Sequence, residues 1–268
     1  MSTILITGAS SGIGRATAET LARGGHRLLI TGREPARLAE VTAACGDRVD
    51  SLVADLTTVE GRHQVIRAAT DNAVDTLINN AGINELVPFE QMAETDIARM
   101  IEANVTAPLS LTRGLLPHLQ GLDAARIVNV GSTFGTIGFP GYVVYSTTKF
   151  ALRGFSEALR RELADSRIVV QYIAPRATRT PLNSGRADAM NAALGNAVDD
   201  PADVAASIAR ILDRGPGDYY LGWPEKLFAR INAIAPKVVT RALRGQLGTI
   251  RRYAETEGSG STAPSPGH

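Results

Sequence analysis

The sequence predicts an α/β protein built around a doubly wound parallel sheet with helices on both faces. Three observations point there. Short apolar runs of strand length alternate with stretches of helical period as far as about residue 221. The run at 168–173 is near-continuously apolar, as a strand covered on both faces requires. The 268 residues, 44% hydrophobic and 21% charged, suffice for one large core without a forced second domain. Right-handed crossovers then wind the sheet in both directions.

The first apolar run is 4–7, and helical periodicity follows over 13–23. A second run at 27–31 precedes a helix over 35–44. Further strands are predicted at 49–53 and 76–79, separated by a helical stretch at 59–69. One long helix spans 95–119. The next strand is 127–130; a loop follows, and a helix begins at Tyr145 and runs through Phe155 and beyond. After the strand at 168–173 the pattern loosens. Residues 176–200 contain Pro181, Gly185 and Gly195 with weak helical character, and read as a flap near the strand ends, where such sheets bind ligands. Residues 201–212 form another helix, with Pro201 suited to its first turn, and 218–221 a final edge strand. From 225 to 252 apolar residues recur at roughly helical spacing among many basic ones, with Pro236 dividing the stretch in two. Residues 258–268 are Gly/Ser/Pro-rich and predicted to be disordered. The organisation is thus a sheet-bearing domain over 1–222, a basic amphipathic extension over 223–255 and a tail over 256–268.

Composition narrows the function classes. A net charge of +1 gives no steering toward nucleic acid. Cys45 is the single cysteine, so no internal disulfide is available and a cytoplasmic setting is expected. His26, His63, His118 and His268 lie too far apart for a ligand set, and no metal is expected. Met1-Ser2-Thr3 runs directly into Ile4-Leu5-Ile6, which does not read as a signal peptide. No apolar run approaches the ~20 residues a spanning helix needs.

The first strand leads into Thr7-Gly8-Ala9-Ser10-Ser11-Gly12-Ile13-Gly14 and then a helix. Glycines in that position let the backbone approach a phosphate, while the helix N-terminus supplies N–H groups and positive dipole. Gly8 would open the turn, Gly12 would admit a pyrophosphate and Gly14 would let helix and strand pack closely. The second strand ends in Thr31-Gly32-Arg33. An acid there would grip the ribose of NAD; an arginine accommodates the 2′-phosphate of NADP. Arg33 therefore favours NADP(H), and Glu34 keeps NAD(H) open.

Tyr145-Ser146-Thr147-Thr148-Lys149 puts a phenol and an ammonium on one helical face. Such a pair is commonly no more than two surface residues. The chemical reading is that the fixed positive charge lowers the tyrosine pKa, making the phenol a proton donor or acceptor near neutral pH.

In their order along the chain, TGASSGIG at 7–14, Asp55 in ADLT, NNAG at 79–82, Asn104 in EANVTAP, Ser132 in VGSTFG and YSTTK at 145–149 resemble the short-chain dehydrogenase/reductase family over residues 2–220. The resemblance implies a single Rossmann-like domain with a seven-stranded parallel sheet. It implies that Tyr145 is the catalytic acid/base, that Lys149 lowers its pKa and holds the nicotinamide ribose, that Ser132 polarises a substrate carbonyl, and that Asn104 holds a water in a proton relay. It assigns the cofactor to Gly8, Ser10, Ser11, Gly12, Ile13, Gly14, Arg33, Asp55, Leu56, Asn80, Ala81, Gly82, Tyr145, Lys149, Pro175, Thr178 and Thr180, with Asn79 starting the turn beside it. The activity implied is hydride transfer between NADP(H) and a carbonyl or secondary alcohol. The charge developing on the carbonyl oxygen is met by Ser132 through a hydrogen bond and by Tyr145 through proton transfer. Three alternatives stay open: an NAD-dependent alcohol dehydrogenase, a non-redox dehydratase or epimerase of the same fold, and a non-catalytic cofactor-sensing or membrane-peripheral binding protein.

Two features depart from the family pattern. Arg176 stands where a glycine commonly follows Pro175, and arginine does not easily adopt glycine's positive-φ conformations. It would contact an anionic group or point to solvent. The basic stretch 225–252 would lie on an anionic membrane surface, dock on its own domain, cover the cleft or bind a partner. Gly138, Phe139, Pro140 and Tyr142 suggest an apolar cleft for a small-molecule substrate of apolar or lipid-like character. Relatives usually pair through the two long helices, so a homodimer or homotetramer is expected.

Overall fold

The computed structural model describes residues 1–223 and 225–255. Seven strands form one sheet: β1 (Thr3–Thr7), β2 (Arg27–Gly32), β3 (Val49–Val53), β4 (Thr76–Asn79), β5 (Ala125–Val130), β6 (Ile168–Ala174) and β7 (Gly217–Tyr220). Their order is β3-β2-β1-β4-β5-β6-β7, and every neighbouring pair is parallel. The order reverses between β1 and β4, so this Rossmann-like sheet opens its crevice there.

Strand alternation feeds two cores. Ile4, Ile6, Leu28 and Ile30 face α1 (Gly12–Arg23), α2 (Pro35–Cys45) and α8 (Pro201–Leu212). Leu5, Leu29 and Leu77 face α3 (Val59–Asp71), α5 (Ala107–Gln120) and α6 (Val143–Glu162). Helix starts follow local chemistry. The Thr58 hydroxyl accepts from Gly61 N–H at 3.0 Å to cap α3. Asp200 accepts from Ala202 N–H ahead of Pro201 to cap α8.

Three expectations change. The predicted helix 95–119 is two helices, α4 (Glu94–Ile101) and α5, joined by a π turn over Glu102–Thr106. Pro108 explains the break: it has no N–H to give the carbonyl four residues back, on Asn104, and its ring crowds that carbonyl. The helix expected to begin at Tyr145 begins at Val143, placing Tyr145 in its first turn. The loose segment after Pro175 contains a true helix, α7 (Gly185–Ala193), capped by the Ser184 hydroxyl.

The basic stretch folds as α9 (Glu225–Ile234) and α10 (Pro236–Ala254), with Pro236 in the first turn of the second. Ile250 and Ala254 pack with Ala187 and Met190 of α7, and with Leu86 and Tyr142. Arg186 on α7 donates to the carbonyls of Ala254 and Glu255. The predicted tail over 256–268 lies outside the described residues.

Candidate active site

The turn between β1 and α1 is shaped for a close ligand. Gly8 and Gly12 have φ of +66° and +54°, a region side chains resist. A Cβ on Gly8 would stand 2.7 Å from the Ala81 Cα, and one on Gly14 would strike the Gly8 carbonyl and the Asn80 amide. Asn80 locks this junction: its Nδ2 donates to Thr7 O and Gly8 O, while the Asn80 and Ala81 N–H groups donate to Thr7 Oγ1. Ser11 precedes α1 without a side-chain cap, and no acid occupies the first turn. The helix thus offers N–H groups and dipole to an anion.

A cleft of about 330 Å³ runs from this turn to Tyr145 and Lys149. Its walls include Gly8, Ser10, Ser11, Gly12, Ile13, Arg33, Asp55, Leu56, Asn80, Ala81, Gly82 and Thr180. At its far end the Lys149 ammonium lies 5.6 Å from the Tyr145 ring centroid and donates to Val130 O at 3.0 Å. Ser132 Oγ accepts from Phe134 N–H at 3.1 Å, which orients it beside the Tyr145 phenol. The expectation of a lowered tyrosine pKa does not hold in this structure. Burial pushes the phenol up to about 12, against the lowering influence of the Ser132 hydroxyl, and draws Lys149 down to about 8. Desolvation of both groups outweighs their proximity.

These arrangements coincide with a known pattern. The family model described as short chain dehydrogenase matches residues 2–191. The chain belongs to that family.

This short-chain dehydrogenase is an oxidoreductase by family. It is 31% identical over 212 residues to the 3-oxoacyl-acyl-carrier-protein reductase of Vibrio cholerae, covering 76% of this chain and 87% of that protein. Two solved structures resemble it closely. A short-chain dehydrogenase from Sphingobium yanoikuyae in complex with NADPH superimposes with a TM-score of 0.77 at 31% identity, covering 96% of this chain and 99% of that one. A 3-ketoacyl-(acyl-carrier-protein) reductase from Brucella melitensis complexed with NADH gives 0.78 at 27%, covering 84% and 98%.

Not every expected residue of the dehydrogenase reaches the cleft. Gly14 packs beneath the turn, in the supporting role expected of it. The Pro175 carbonyl is turned to Thr133 N–H, and the Thr178 hydroxyl to Arg176 O. Asn79 ends β4 with its side chain buried toward Asn129 and Thr112, and the residues after it, Asn80 to Gly82, line the cleft. The Asn104 amide is tied on three sides: Nδ2 donates to Ile83 O and Thr148 Oγ1, and Oδ1 accepts from Ile83 N–H. That side chain is committed to these protein partners and lies behind Gly82 of the cleft.

Arg176 neither approaches the cleft nor strains the backbone. Its guanidinium grips Asp199 Oδ1 through Nε at 2.9 Å and Nη2 at 2.6 Å. Beside that pair, Thr178 and Asp199 form a parallel bridge, closing the neck of the 178–199 flap. Sequence reasoning missed two cleft arginines, Arg37 and Arg99. Arg37 was detectable four residues after Arg33 at a helix start. It pairs with Glu34 at 3.0 Å, so the acid beside Arg33 is already matched. Tyr172 was missed too: its hydroxyl donates to Ser132 O and accepts from Ser132 N–H, from inside β6. A tyrosine within an apolar strand was the available signal, since a buried phenol needs a partner. A larger hollow of about 710 Å³ lies between α8, β7 and α9 and holds none of the predicted site residues. Among the described residues no group of three or more His, Cys, Asp or Glu is placed to hold a metal.

Proposed function

We propose that this chain is an NADP(H)-dependent carbonyl reductase, working reversibly as an alcohol dehydrogenase. The observation carrying the reading is the meeting of Ser132, Tyr145 and Lys149 at the end of a cleft that begins at the glycine turn. The cradle of Gly8, Gly12 and Gly14, with the uncapped start of α1, fits a dinucleotide's phosphates. When bound, the nicotinamide supplies the hydride. The Ser132 hydroxyl donates to the carbonyl oxygen as charge builds on it, and Tyr145, protonated throughout the neutral range, gives it a proton. The Lys149 ammonium, held by Val130 O, adds positive charge beside the phenol.

Arg33, with Arg37 occupying Glu34, supports a 2′-phosphate and hence NADP(H) over NAD(H). Of the similar structures, one is complexed with NADH and another with NADPH, so chemistry at Arg33 is the discriminator. Phe134, Phe139 and Tyr142 pack around Tyr145, with ring centroids 4.8 to 6.3 Å apart, and support an apolar substrate. As far as Ala158 the exposed positions of α6, Val143, Thr147, Phe150, Ala151, Gly154 and Ala158, carry no charge, and Arg161 and Glu162 follow in its last turn. That face supports pairing with a second copy. A cytoplasmic setting remains our reading from the lone Cys45.

Nicotinamide absorbance with a panel of ketones and aldehydes tests the activity. Tyr145→Phe should lower turnover by about a hundred- to ten-thousandfold with NADPH affinity retained; undiminished turnover would sink the mechanism. Arg33→Ala should weaken NADPH binding by about ten- to a hundredfold and leave NADH binding unchanged. Equal loss for both would remove the 2′-phosphate assignment.

A further inference from the structure

The helical pair α9–α10 shows its inner side to the protein and an unusual outer side to solvent. Inside, Val239, Ile250 and Ala254 are buried, and Asn232 Nδ2 donates to Thr136 O at 2.7 Å. Outside, Ile234 is 86% exposed, Trp223 71% and Val238 59%, with Leu227 and Phe228 also exposed. Leu227 and Ile234 lie two turns apart on one side of α9. Ile234 and Val238 flank the elbow at Pro236, making an apolar corner. Arg230, Lys237 and Arg241 stand exposed around it.

The charge distribution is as uneven as the hydrophobicity. Between residues 226 and 254 the sequence holds seven Lys and Arg and no Asp or Glu. The remaining chain therefore carries an acidic excess of six. A second copy of this patch would bring like charges together with no acid inside the segment to answer them. An anionic lipid surface supplies the missing sign and an apolar layer for the corner.

We propose that the α9–α10 elbow docks this protein peripherally on an anionic membrane surface, with Trp223, Leu227, Phe228, Ile234 and Val238 entering the interface and Arg230, Lys237 and Arg241 meeting lipid headgroups. The attachment is interfacial, since among the described residues no helix is long and apolar enough to cross a membrane. It is independent of which carbonyl the site reduces. Because Asn232 of α9 donates to Thr136 O, in the loop that carries Phe134 and Phe139 beside Tyr145, the docked face adjoins the side of the molecule where an apolar substrate would enter.

Trp223 is the chain's single tryptophan, so its emission reports from the patch itself. Full-length protein is mixed with vesicles of phosphatidylcholine alone or of equal parts phosphatidylcholine and phosphatidylglycerol. The expected result is a blue shift and pelleting with the anionic vesicles, weakened by salt, and little of either with the neutral ones. Lys237→Glu and Arg241→Glu should each lower apparent vesicle affinity by roughly fivefold or more. Ile234→Asp with Val238→Asp should abolish the shift while circular dichroism and NADPH binding stay unchanged. Point variants are used because removing α10 would also strip Ile250 and Ala254 from α7. Absence of any shift or pelleting with anionic vesicles, or equal pelleting of the Asp variant, overturns the proposal. So does a blue shift that appears without lipid as protein concentration rises, which would mark a second copy as the occupant.

Discussion

Lys149 carries a charge that its surroundings oppose. Its ammonium is buried, and one carbonyl, Val130 O, answers it. Burial lowers its pKa from the ordinary 10.5 to about 8, so keeping it charged at pH 7 costs on the order of 3 kcal/mol. The folded value lies below the unfolded one, so the unfolded chain binds this proton more tightly. The penalty is full below pH 8, and stability rises as pH climbs from about 8 toward 10.5. Lys149→Met should therefore gain about 1–3 kcal/mol in urea unfolding at pH 7, with the advantage fading as pH approaches 10.5. A pH-independent gain would show that packing, not charge, is responsible. The same residue shows how far side-chain roles could be read in advance. The spacing of Tyr145 and Lys149 correctly placed them on one face. The direction of the tyrosine shift was not legible, because desolvation depends on everything packed around a group and spacing records only one neighbour.

Arg176 gives the flap an anchor of its own. Both side chains of the Arg176–Asp199 pair are about one-fifth exposed, where removing one partner costs more than at the surface. Asp199→Asn should raise amide exchange across 178–199 by about tenfold or more, reflecting a loss of over 1 kcal/mol of local stability, and leave β1 and β4 protected. Unchanged exchange in the flap would mean the Thr178–Asp199 bridge suffices alone. At this scale the sequence was uneven. The strands were found within a residue or two, since apolar runs bounded by turns leave little freedom. The π turn was missed because Asn104 and Pro108 look unremarkable inside a helical pattern until the proline is set against the carbonyl four residues before it. Helix α7 was missed because its apolar periodicity is weak; Ser184 and the contact with α10 stabilise it instead.

Among the described residues, two outward apolar features stand out on different elements. One is the uncharged exposed stretch of α6 from Val143 to Ala158, where Phe150 is 42% exposed. Phe150→Glu should convert a dimer to a monomer in analytical ultracentrifugation, with the unfolding midpoint little changed; a monomeric parent protein would remove the pairing assignment. The other is the elbow at Pro236, which the sequence indicated through its basic charge, its helical apolar spacing and the proline itself. Whether it docked inward or faced outward depended on which of its apolar residues found partners, and periodicity does not record that. Because all seven strands are parallel, the turns that follow them emerge on one rim of the sheet. The glycine turn, Arg33, Asp55, the Asn80 turn, Ser132 and the flap all stand on that rim. The turns at the opposite rim, around Gly25, Gly46, Asn72 and Ser166, carry none of them. The two rims can therefore evolve separately. Insertions and drift at the lower rim leave chemistry intact, while a new substrate range can arise by rewriting upper loops on an unaltered frame.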